Sequence, residues 1–512
     1  MKKFLQFFSF AAMTQVILLL NQVILLPMQI RLWGTAETAL WYAAIALATV
    51  TTVADCGLRT AGHVELLKLV RENDADAAAA FRQVWMWIRL LVVLVTATLL
   101  LGDWIYGFVH QGSHGMGSWQ AGRALLTLAY ALETVLIIRI VYLDSLGEYS
   151  RAESSYFSFA AIRLALAVPA LLVLRVQPVT LCWLFLGTSV IGLSLQGSLC
   201  NIPAELHLFA RGPQKLSWQT VSLLRYTMAE PCANWVRLSL PVLVIASIAP
   251  ASAVTTFVAL RAIYGAARTT IQQVARVASV EVLRFRAAGQ KATAESLLSL
   301  FMLLAALIGA GVAGIVAVDN LRLLSLWLKH FDLLLFQNIN LSFGLSGPFY
   351  SYQVLVALSF RIGQLAVLAR RQYAYLLYSS AFAAVAMATR SLTAYLVLLA
   401  IAEIALSVSF MGRRYVGEGK GFATWAGWKG IAGSSAGTLL VGVLWLTVRL
   451  STTVTFTRIS LSGGLQGLVL LAGSLGVLLF AGLAMNAGVL RNLRNSFSRR
   501  PIVLAPEFGQ GS

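Results

Sequence analysis

A chain of 512 residues that is 59% apolar and only 12% charged, with a mean hydropathy of +0.78, is not the composition of a soluble globular protein. Its apolar runs of about 20 residues recur from end to end and do not alternate, which points to membrane helices and excludes a β-barrel. The formal charge of +19 is dispersed among those runs and the short loops between them, so no basic soluble face is available for nucleic acid.

The expected fold is therefore all-α, a polytopic membrane protein of about fourteen transmembrane helices in two pseudo-symmetric lobes around a central cationic cavity. The spans fall near 8–30, 38–62, 83–109, 121–146, 155–175, 179–200, 223–249, 251–278, 294–317, 337–369, 373–389, 394–412, 426–448 and 463–489. They group as an N-terminal lobe (1–200), a cytoplasmic linker (201–222), a C-terminal lobe (223–412), two additional spans (413–490) and a basic tail (491–512). With both termini cytoplasmic, the 39 Lys and Arg divide into about 21 cytoplasmic, about 7 external and about 11 intramembrane, in agreement with the positive-inside rule.

Lys2-Lys3 and the apolar run behind them imitate a signal peptide, but the run is too long for one and reads as a retained first helix. Gln15, Gln22 and Gln29 recur at seven-residue intervals beside Thr14 and Asn21, which makes one face of this helix polar. Such a face either binds a neighbouring helix or lines a cavity, and the number of polar residues points to the cavity. Span two ends in Thr52, Asp55, Arg59 and His63, an i, i+3/i+4 stripe in which Asp55 and Arg59 can pair. His110 and His114 have no Cys or carboxylate beside them, so no metal is expected there.

Span four carries Glu133 and Asp144, eleven residues apart and nearly in register. With Asp55 and Glu230 these acids are candidates for coupling to a proton or sodium gradient, or counter-ions to the surrounding arginines, the reading that the arginine excess favours. Arg163, Arg361 and Glu403 complete the intramembrane set.

The densest charge lies between Arg225 and Arg276. An arginine at the centre of a membrane helix costs roughly 2.5–3.5 kcal/mol, so the five of this stretch must face water, one another or a ligand. Glu230, Asn234 and Arg237 share one face of span seven, next to Pro231. Arg261 and Arg268 are seven residues apart, within about 20° of each other around span eight. Such an arrangement describes a hydrated cationic cavity between helices bent at Pro27, Pro231 and Pro241, and its natural guest is an anion. Cys56, Cys182, Cys200 and Cys232 lack CxxC spacing and read as free thiols; Arg390 must act as a tight turn between spans eleven and twelve. No phosphate-loop, HExxH or GxSxG motif occurs, so no enzyme activity and no cofactor are expected.

The opening helix with its turn at Gly34 and Trp41-Tyr42, the segment Asp55-Cys56-Gly57-Leu58-Arg59-Thr60-Ala61, and the long eighth span closing in Arg284-Phe285-Arg286 together resemble the multidrug, oligosaccharidyl-lipid and polysaccharide exporter superfamily. The likeness spans about residues 5 to 490 and is nearest to its Wzx-like polysaccharide transporters. It implies a cavity lined by spans one, two, seven and eight, and alternating access of an undecaprenyl pyrophosphate-linked oligosaccharide from the cytoplasmic to the outer leaflet of a bacterial inner membrane. Such a flippase would serve exopolysaccharide, capsule or O-antigen synthesis beside a polysaccharide polymerase and export proteins. The substrate-binding residues expected on this reading are Arg59, Arg237, Arg261, Arg268, Gln22 and Asn234. Two alternatives stand beside it: an ion-coupled multidrug efflux transporter, disfavoured by the positive interior, and a membrane glycosyltransferase or polymerase, for which no external loop is large enough.

Overall fold

The computed structural model describes residues 2–62, 77–109, 116–145, 149–199, 218–287 and 365–411, with single positions between 290 and 356. All its elements are helical, and no strand occurs among the described residues. In chain order they are α1 (Lys2–Ala48), a 3₁₀ turn (Thr49–Val53), α2 (Ala77–Val109), α3 (Met116–Ser145), α4 (Tyr149–Leu172), α5 (Pro178–Leu199), α6 (Trp218–Thr227), α7 (Ala229–Leu238), α8 (Leu240–Ile248), α9 (Ala251–Ala287), α10 (Leu365–Thr389) and α11 (Leu392–Met411). Six of the described segments are long and apolar enough to cross a membrane. Four of the expected spans, at 294–317, 337–369, 426–448 and 463–489, lie mostly or wholly outside the described residues, as do most of the 201–222 linker and the 491–512 tail.

α1 contains the first expected span and the start of the second, which continues through the 3₁₀ turn to residue 62. Its backbone runs on as helix through Pro27 and leaves helical geometry at Gly34 (φ 84°, ψ 175°), so the break falls at the expected turn and not at the proline. Only glycine takes this conformation without strain. Arg390, with φ 50°, is the turn between α10 and α11. One boundary differs from expectation: residues 365–372, read as the end of one span and a loop, already belong to α10. Arg370, Arg371 and Gln372 interrupt the apolar run, but they are good helix formers and no Gly or Pro stands beside them to stop the helix.

The expected seventh span is broken twice, into α6, α7 and α8, at Met228 and Ser239. Each break precedes a proline, Pro231 or Pro241, by two or three residues. A proline offers no N–H and its ring collides with the carbonyl four residues back, which here belongs to Thr227 or Arg237.

The chain divides into two compact units, one of residues 1–266, 321–343 and 364–406, the other of 267–320, 344–363 and 407–512. Within the first, α1 lies along α3 and α4, α5 packs on α3 and α4, and α10 packs on α6, α7 and α8. One core cluster gathers Trp41, Leu126, Leu181 and Phe185, a second Trp85, Ile88, Leu136 and Phe159. Lipid chains are as apolar as leucine, so what holds these helices together is close packing and hydrogen bonding rather than exclusion of water. Val93, Leu94, Trp104 and Ile105 face outward from α2, as a lipid-contacting surface requires. In the second unit the described residues are the later turns of α9 and scattered helical positions.

A close backbone contact in the first unit joins the end of span two to the first break of span seven. Gly57 has φ 78°, and a Cβ placed on it would come within 2.4 Å of the Met228 nitrogen and 2.5 Å of the Thr227 carbonyl carbon. Gly34 has a similar φ but nothing within 4 Å of a Cβ. Gly34→Ala should therefore lose only the roughly 1–3 kcal/mol of left-handed backbone strain. Gly57→Ala adds a backbone clash and should lose clearly more. Thermal unfolding of the two purified variants in detergent compares them; equal loss would mean that Met228 can move away.

Candidate functional site

The turn after α1 uses its own acid. Asp55 is fully buried, and its Oδ1 accepts the Gly57 N–H at 3.1 Å while Oδ2 lies 3.3 Å from Arg59 Nε. The carboxylate thus holds the strained pair Cys56 and Gly57, both at positive φ, and neutralises Arg59 one helical turn later. The pairing read from the i, i+4 spacing is present. Glu230 on α7 lies within electrostatic reach of Arg59, Arg237 and Asp55, so the structure brings the charges of spans two and seven together.

Arg237 is only 8% exposed. Its Nε lies 2.6 Å from Glu403 Oε1, an Nη donates to Asn234 Oδ1 at 3.2 Å, and the guanidinium carbon sits 4.6 Å from the Tyr375 ring centre. Tyr375 in turn donates its hydroxyl to the same Glu403 oxygen at 2.8 Å. Asn234 and Arg237 do share a helix face, but each is engaged by protein. Glu403 and Tyr375, the residues that engage Arg237, come from α11 and α10, about 140 to 170 positions along the chain, and no local periodicity announces that meeting.

Arg163 on α4 is held still more completely. It pairs with Glu133 Oε2 at 3.0 Å, donates to Ser189 Oγ at 2.9 Å and Thr188 Oγ1 at 3.3 Å, and lies over the rings of Phe159 and Phe185 at 4.4 and 4.6 Å. Glu133 is therefore a counter-ion here, and the cluster ties α3, α4 and α5 together. Arg123 pairs with Asp103 at 2.6 Å.

Arg261 stands apart. Its guanidinium donates to the Leu238 carbonyl, a group that the second break of span seven leaves free of its helix partner, and Tyr42 and Tyr130 lie within its electrostatic reach. The side chain is half-buried, with chain packed around it. Among the described residues no carboxylate lies within ion-pair distance of it. Arg268, two turns further along α9 and 8% exposed, belongs to the second unit and has no carboxylate partner among the described residues either.

The polar face expected on the first span is only partly described. Gln29 is 1% exposed and Thr14 equally buried, so at these two positions the face packs against protein and does not line a wet path. The side chains of Gln15, Gln22 and Asp144 lie outside the described set, as do His63, Cys200 and Arg361. Cys56, Cys182 and Cys232 are free thiols. Among the described residues no group of His, Cys, Asp or Glu could hold a metal ion.

No protein-family model matches the chain, and no curated protein matches it. Solved structures do. The fold is similar to that of the lipid II flippase MurJ. In its inward closed conformation that protein superposes with a TM-score of 0.64 at 12% identity, covering 94% of this chain and 99% of its own. The eukaryotic MATE transporter AtDTX14 matches with a TM-score of 0.54 at 12% identity over 84% of this chain and 99% of its own. An inward-facing MATE family multidrug resistance transporter of the MOP superfamily gives 0.50 at 13% identity over 81% and 99%. The protein is thus a polytopic, all-helical membrane protein whose fold is shared by a lipid flippase and by transporters, not by enzymes among these neighbours. At this identity the likeness concerns the fold and assigns no residue a role.

Proposed function

We propose that the protein is a flippase that moves an undecaprenyl pyrophosphate-linked oligosaccharide from the cytoplasmic to the outer leaflet of a bacterial inner membrane, for exopolysaccharide, capsule or O-antigen assembly. The observation that carries the reading is Arg261. Arg59, Arg123, Arg163 and Arg237 each have their own carboxylate, whereas Arg261 is half-buried and without one among the described residues. An uncompensated cation in such a place is costly unless an anion visits it. A pyrophosphate offers acceptor oxygens that match the guanidinium fork. Arg237, neutralised by Glu403, acts in this scheme by shaping α7, and Arg59 by fixing the turn beside it. The isoprenoid tail stays in lipid while the head group crosses by alternating access, driven by a proton or sodium gradient, with both chain termini cytoplasmic and with a polymerase and export proteins as downstream partners.

Native mass spectrometry of the purified protein with undecaprenyl pyrophosphate tests this. Wild type should retain the lipid and Arg261→Ala/Arg268→Ala should lose it. Equal retention by both would mean that the lipid sits in a peripheral groove and would sink the reading. The efflux alternative needs a free acid in the interior. Glu230 keeps some access to water, but it faces Arg59 and Arg237, which leaves little negative potential for an organic cation.

A further inference from the structure

Three tyrosines of the first unit make none of the hydrogen bonds described so far. Tyr42 on α1, Tyr130 on α3 and Tyr156 on α4 are each half-buried, with chain packed around them. None of the described residues hydrogen-bonds their hydroxyls. The contrast with α10 is plain: there Tyr373, Tyr375 and Tyr378 each donate to a carbonyl or carboxylate oxygen. These three hydroxyls remain accessible and open to the polar groups of a guest.

The Arg261 guanidinium is near two of them. Tyr42 and Tyr130 lie within electrostatic reach of that guanidinium and of each other. Tyr156 lies within reach of Tyr130, on the side of the Glu133 and Arg163 pair. Behind them the rings are fixed. Tyr42 and Tyr130 rest on the Trp41, Leu126 and Phe185 cluster, and Tyr156 stacks on Phe159 with centroids 6.1 Å apart.

We propose that Tyr42, Tyr130 and Tyr156 form the saccharide subsite, beside the pyrophosphate held by Arg261. This rests on the flippase reading and supplies the sugar contacts that Gln29, buried, and Asn234, engaged by Arg237, do not make. The chemistry fits a neutral sugar. Each phenol offers one donor and two acceptor positions to ring hydroxyls, and its electron-rich face suits the slightly positive C–H edge of a pyranose. No charge is spent on a neutral group, and the anion is left to arginine.

The test measures binding of two probes by native mass spectrometry: undecaprenyl pyrophosphate, bare or carrying a single N-acetylhexosamine. Wild type should bind the sugar-bearing lipid about tenfold more tightly, the effect of one to two added hydrogen bonds. Tyr42→Phe/Tyr130→Phe should lose that preference and keep the bare lipid, which also certifies its folding, whereas Arg261→Ala should lose both lipids. A preserved preference in the tyrosine variant overturns the subsite. So does equal loss of both lipids, which would make the tyrosines positioning residues for Arg261, and so does a wild type that binds the two lipids alike. If wild type binds neither lipid, the flippase reading itself falls, before any variant is compared.

Discussion

Cells that depend on an Arg261→Ala copy should stop exporting polymer while making the protein at normal levels. The loss is large because the guanidinium would make charge-assisted hydrogen bonds to the pyrophosphate, each contributing about 1.5–3 kcal/mol, or roughly 10- to 100-fold in affinity. Folding should survive, because what the substitution removes from the protein is a bond to the Leu238 carbonyl and no ion pair. Arg261→Lys should fall between the two, keeping the charge and losing the planar fork. Surface polysaccharide is measured against an immunoblot of the membrane fraction. Export that persists in both Arg261→Ala and Arg268→Ala would remove the anion site from the mechanism.

Glu403→Ala should fail differently, by losing the fold. Breaking a buried ion pair costs about 3–5 kcal/mol, most of it the penalty of a guanidinium left without its counter-charge. Here Tyr375 also loses the acceptor of its hydroxyl. Glu403→Gln keeps an acceptor for both groups and should lose less. Arg237→Met/Glu403→Met removes both charges together and should regain most of the stability, since apolar replacements of a buried pair are often neutral. Thermal unfolding in detergent ranks the three. A double variant as unstable as Glu403→Ala would show that Arg237 holds α7 through more than its charge.

The sequence was informative wherever the cause was local. Apolar runs placed α2 to α5, Gly34 placed the break in α1, and Arg390 its tight turn. The prolines located the interruptions of span seven to within three residues, because a proline acts on the carbonyl one turn behind it. Spacing found the Asp55 and Arg59 pair, and the Asn234 and Arg237 contact within one helix. It could not find Glu403 for Arg237 or Arg163 for Glu133, since partners on different helices share no periodicity. For the same reason the number of intramembrane arginines was legible while their division into neutralised and open ones was not. Gln29 shows the opposite error. A polar stripe looks alike on a helix whether it faces water or a neighbour, and at this position it faces a neighbour.

Where Gly57 lies on Thr227 and Met228, the junction is main chain against main chain. A contact of that kind has no side chains to repack, so it cannot loosen by small adjustments. Thr227 and Met228 stand on one side of it, Cys56 and Gly57 on the other. The two residues on the second side already sit in the narrow left-handed region. The broken span is thus anchored at its first break against a turn with little torsional freedom of its own.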